Sequence, residues 1–81
     1  MSTLKDRLLA ELEHRNGEVL EYDLNINRFE RMIAKIATMP GDAVMQDFGK
    51  ELTERIATER ANLAKSTLTR DTLAEIIEEL E

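Results

Sequence analysis

Residues 8–36, LLAELEHRNGEVLEYDLNINRFERMIAKI, carry apolar groups at alternating steps of four and three. The register lands on Leu8, Leu12, Arg15, Val19, Tyr22, Ile26, Phe29, Ile33 and Ile36; eight of these nine are apolar or aromatic, and Arg15 is the exception. Residues three and four apart share one face of an α-helix, so this is a narrow hydrophobic stripe of the coiled-coil kind. Its one doubtful point is Asn16-Gly17. Asn-Gly is a turn signal, and Gly inside a helix costs about 1 kcal/mol relative to Ala. A turn would break the stepping, yet Leu12, Arg15, Val19 and Tyr22 hold it straight across Gly17. The reading is one continuous helix with a weak spot.

Outward from the stripe, both ends of this helix are marked. Ser2 or Thr3 can cap its N-terminus, and Asp6 stands in the first turn, where the helix dipole favours a negative charge. On the other side comes Met39-Pro40-Gly41-Asp42. Pro40 disfavours helical geometry at Met39, Gly41 permits a positive φ, and Asp42 is a good cap for a following helix. So tight a connection makes the two helices antiparallel. The expected fold is therefore all-α: a long antiparallel hairpin with helix 1 at about 3–38 and helix 2 at about 42–80, forming one domain over 1–81. Helix 1 should be a rod of about 54 Å. Charged pairs such as Glu11–Arg15 decorate its wet side, each contributing a few tenths of a kcal/mol.

The second helix starts with an apolar face, Val44, Met45, Phe48, Leu52 and Ile56, and ends with Leu73, Ile76, Ile77 and Leu80. Between them its character changes. Ala57, Ala61 and Ala64 make a small-residue stripe beside Leu63, while Glu59, Asn62 and Ser66 occupy seam positions. The run Lys65–Thr72 is rich in hydroxyls that compete for backbone hydrogen bonds, so near 66–69 two outcomes are open: the helix bends, or it stops and restarts with Thr69 as cap. If facing residue numbers add up to about 81, Tyr22 lies near Glu59, and Arg15 lies near Ser66 with Asn62 a turn away. Arg15, Glu59 and Asn62 would then form a polar layer that fixes register and oligomeric state at a cost in stability.

The composition agrees with helices. Charged residues make up 35% and hydrophobic residues 42%, with three aromatics, one Pro and three Gly, which leaves few places to turn. No Cys is present, so neither a disulfide nor a thiolate metal site is available. No run approaches the ~20 apolar residues of a membrane span, and the charged N-terminus does not suit a signal peptide, so a cytoplasmic protein is expected. The formal net charge is −6, and from Asp71 to Glu81 there are five acids and no base. Phosphate binding needs the opposite sign, so direct nucleic-acid binding is not expected, nor is binding to an anionic membrane.

Motifs for chemistry are weak. Glu11-Leu12-Glu13-His14 has the Glu-x-x-His spacing of carboxylate-bridged metal bundles, but His14 is the only histidine and lies off the stripe. No metal, cofactor or catalytic residue is expected, and no enzyme. The flanking residues Leu4, Leu9, Leu20, Leu24 and Met32 exceed what one partner helix can cover. A symmetric dimer forming a four-helix bundle would cover them. The core seam would comprise Leu8, Leu12, Val19, Tyr22, Ile26, Phe29, Ile33 and Ile36 with Phe48, Leu52, Ile56, Leu63, Leu73 and Ile77. The layout resembles in type the small helical-hairpin dimers that include plasmid RNA-binding regulators; this likeness covers architecture alone. Three functions fit: a dimeric adaptor or modulator that also binds another protein, an acidic mimic of nucleic acid that blocks a DNA- or RNA-binding protein, or an assembly subunit ordered with its partner. Size and type match small accessory proteins of phages and mobile elements.

Overall fold

The computed structural model describes residues 3–81. It contains two helices, α1 over Leu4–Ile36 and α2 over Ala43–Glu79, and no strand among the described residues. They pack against each other as an antiparallel hairpin 60 Å long, 19 Å wide and 13 Å thick between Cα atoms. No described helix is long and apolar enough to cross a membrane.

Local chemistry explains each boundary. Thr3 caps α1: its hydroxyl accepts from Asp6 N at 3.1 Å, and Asp6 Oδ2 accepts from Thr3 N at 3.4 Å. This reciprocal pair satisfies two donors that the first turn leaves free. Ser2, the alternative cap, lies outside the described residues. At the far end α1 tightens rather than stops. Thr38 N bonds to Lys35 O and Met39 N to Ile36 O, which are i→i+3 bonds of a closing turn. Gly41 then takes φ 93°, which a side chain would oppose. Asp42 caps α2 by accepting from Met45 N at 3.1 Å, and Gln46 Nε2 donates to Met39 O at 3.3 Å across the turn.

Neither weak spot breaks its helix. Gly17 sits within α1 with nothing within 4 Å of where a Cβ would stand. Through Ser66–Thr69, α2 is unbroken, so the helix does not stop and restart at Thr69. Its hydroxyls turn inward on the helix instead: Thr69 Oγ1 donates to Lys65 O at 3.0 Å and Thr72 Oγ1 to Leu68 O at 2.9 Å. Such bonding to the carbonyl four residues back satisfies the hydroxyl without displacing the helical ladder.

The facing register differs from expectation by about one turn. Gly49 lies against Ile36, with Ile36 Cγ2 3.5 Å from its would-be Cβ; Ser66 bonds to Glu18; Lys5 pairs with Glu81 at 3.0 Å. Each α2 partner is three to five residues further along than numbers adding up to 81 would place it. The cause is the connection. The chain continues past Ile36 to Met39, and the first turn of α2 lies beside this extension, where Gln46 Nε2 bonds to Met39 O.

With this register, the α2 seam is Met45, Gly49, Leu52, Ile56, Glu59, Leu63, Ser66, Arg70, Leu73 and Ile77, again in steps of four and three. Ile26, Ile36, Leu52, Ile56 and Ile77 are buried; Leu8, Leu12, Val19, Tyr22, Phe29, Ile33, Leu63 and Leu73 are half-buried. Phe48, expected on the seam, sits one position off it and is 43% exposed. Gly49 takes the place facing Ile36, so the aromatic ring lies on the flank. Full burial of an aliphatic side chain contributes about 1.5–3 kcal/mol. A seam of five buried and many half-buried groups is thus a thin core.

Candidate functional site

Two features stand apart from ordinary packing: a polar stretch in the middle of the seam, and apolar residues left on its flanks. The polar stretch centres on Glu18. Arg15 holds Glu11 through Nε at 3.0 Å and approaches Glu18 Oε1 at 3.4 Å. His14 Nε2 lies 2.7 Å from the same Glu18 oxygen. On the opposite helix Ser66, only 4% exposed, donates its hydroxyl to Glu18 Oε2 at 3.0 Å. Helical spacing makes this possible: Glu11, Arg15, Glu18 and His14 are three or four apart, which places them side by side on α1. Hydrogen bonds to a charged group contribute roughly 1.5–3 kcal/mol when solvent is excluded. Arg15 is still about one-third exposed, so its ion pairs contribute less, in the range of surface pairs.

Of the residues expected to form one polar layer, Arg15, Glu59 and Asn62 are all half-buried seam or near-seam groups. The structure brings Arg15 to Ser66 through Glu18. Glu59 belongs to a different level, facing the region of Ile26, and its Oε2 is buried without a hydrogen-bond partner among the described residues. Arg70, at the level of Arg15, turns to Asp71 at 3.2 Å. Glu18 itself escaped the reading of the sequence because it lies beside the stripe. Its spacing from His14 and Arg15 was the available signal.

The Glu-x-x-His motif is engaged in side-chain pairing: Glu11 binds Arg15, and His14 faces Glu18. Among the described residues no group of three or more His, Asp or Glu side chains is placed to hold a metal. A shallow apolar groove of about 230 Å³ lies at the turn end, lined by Ile33, Ile36, Ala37, Gly49 and the stems of Gln46, Lys50 and Thr53. It exists because Gly49 offers no side chain there.

The uncovered apolar groups are many. Leu4, Leu9, Leu20, Leu24, Met32, Met39, Val44, Phe48, Leu68, Ile76 and Leu80 are each 37–73% exposed. Ala57, Ala61 and Ala64 are exposed on the outer side of α2. The acids Glu75, Glu78, Glu79 and Glu81 are exposed at the free end. The chain matches no known protein family, no functionally described protein and no solved structure. What the fold defines is an extended two-helix hairpin.

Proposed function

We propose that this hairpin is a protein–protein interaction module that works as a dimer, a helical adaptor or modulator without catalysis of its own. One observation carries the reading: among the described residues eleven large apolar side chains are exposed, against five apolar side chains that are buried. Scattered exposed leucines are ordinary, but such an excess on so small a domain is the mark of surfaces meant to be covered. Two helices can bury only the seam between them; further helices cover the flanks. Sedimentation equilibrium of the intact chain over micromolar concentrations tests this. A mass of two chains, with helicity and melting temperature rising with concentration, is the expected result. A monomer throughout removes the dimer from the proposal.

A second reading follows from the exposed acids at the free end. A chain that mimics nucleic-acid charge would bind a basic protein, and added DNA or salt would displace it steeply. An adaptor that docks through apolar groups holds its partner in the same salt.

A further inference from the structure

The exposed apolar groups are not evenly spread around the rod. Heptad stepping places one column of residues beside the seam on each side of each helix. In an antiparallel pair, columns of the same kind share one broad side, and the Glu30–Arg60 ion pair at 2.7 Å marks one such side. The other broad side carries Leu4, Glu11, Glu18, Asn25 and Met32 from α1, with Phe48, Arg55, Asn62, Thr69 and Ile76 from α2. Leu4 and Ile76 are 60% and 44% exposed at the free end; Met32 and Phe48 are 37% and 43% exposed at the turn end. This side therefore has an apolar patch at each end, about 40 Å apart along α1, and a polar centre between them.

We infer that a second copy of this chain packs on this side, with α1 of one copy against α2 of the other and both turns at the same end. The inference rests on the dimer reading above and names its surface. Three observations select the occupant and its direction. A side 60 Å by 19 Å offers on the order of 1,000 Å² per copy, above the roughly 800 Å² per partner of a standard interface. The patches fall at matched levels, so Leu4 meets Ile76 of the second copy and Met32 meets its Phe48. The centre is polar on both sides in the same arrangement: Glu11 faces Thr69, Glu18 faces Asn62 and Asn25 faces Arg55, so each of these acceptors meets a side chain that carries a donor. Reversing the second copy would set α1 on α1 and Glu18 against its own image, opposing like charges at close range.

The absence of cysteine from the chain allows a direct test. Chains carrying Met32→Cys are mixed with chains carrying Phe48→Cys and oxidised; a heterodisulfide between them is expected. Met32→Cys mixed with Leu4→Cys should not cross-link. Separately, Met32→Glu with Phe48→Glu should weaken the dimer by at least about tenfold, while Leu20→Glu with Leu24→Glu on the outer side of α1 should not. Circular dichroism of each variant checks that the hairpin stays helical. A dimer by sedimentation that links Met32 to Leu4, or that withstands the Met32/Phe48 pair, overturns this surface and leaves the dimer standing. A monomeric parent chain overturns both.

Discussion

Glu59 stands where the four-three register of α2 asks for an apolar side chain, and its Oε2 is buried with no partner among the described residues. A buried acceptor without a donor costs about 1–3 kcal/mol, whereas an apolar group of similar length would add packing. Glu59→Leu should therefore raise the urea midpoint, with a gain of about 1–2 kcal/mol. A lower midpoint would show that the carboxylate has a stabilising role its neighbours do not reveal. The glycines divide by the same kind of local accounting. At Gly17 a Cβ meets nothing within 4 Å and the backbone is helical, so Gly17→Ala should add about 1 kcal/mol, or roughly 4–8 °C in Tm. At Gly41, φ is 93°, and Gly41→Ala should lower Tm because the left-handed conformation opposes a side chain by about 1–2 kcal/mol. Thermal melts of the two variants beside the parent should move in opposite directions, and a shift of the same sign in both would contradict this reading.

At the scale of elements, α1 was almost fully legible because its stripe is both apolar and in phase from Leu8 to Ile36. Persistence of phase outweighed the Asn16-Gly17 turn signal, and the helix indeed runs through it. The turn was legible too, since Pro40, Gly41 and Asp42 each restrict the backbone in a distinct way. Helix α2 was harder. Its seam contains Gly49, Glu59, Ser66 and Arg70, so hydrophobicity alone pulled the reading toward Val44 and Phe48, which the structure leaves exposed. The hydroxyl run at Ser66–Thr72 leaves continuation and interruption both open in the sequence, because propensity does not show where a hydroxyl points. The register was misplaced by a turn for a related reason: Thr38 and Met39 extend α1 by i→i+3 bonds that no single residue announces. Asp42 is the element-scale position most open to test. Its carboxylate accepts from Met45 N, and Asp42→Ala should cost about 1 kcal/mol by leaving that donor free. Asp42→Ser should recover most of the loss in the same denaturation experiment. If alanine and serine behave alike, the cap contributes nothing to the turn.

For the whole molecule, charge and apolar area act against each other. Each chain carries a formal −6, and pairing two hairpins with their turns together sets the acid-rich stretches Asp71–Glu81 alongside one another. Their repulsion is felt through solvent, so it falls as ionic strength rises; the Debye length is about 10 Å at 0.1 M and about 3 Å at 1 M. In the proposed dimer, apolar contact at Leu4, Ile76, Met32 and Phe48 would not weaken in this way. The proposed dimer should consequently tighten when sodium chloride rises from about 0.05 M to about 0.5 M, the reverse of a complex held by opposite charges. Sedimentation equilibrium at both concentrations reads the change in dissociation constant. The sign carries the argument. A dimer that loosens with salt would place the Glu11 and Glu18 column, with its donors on the facing helix, above the apolar patches as the source of affinity. Neutralising Glu78 and Glu79 as glutamine separates the two contributions. These side chains are exposed at the free end, so the variant should tighten the dimer at low salt and leave it unchanged at high salt, where the repulsion is already screened.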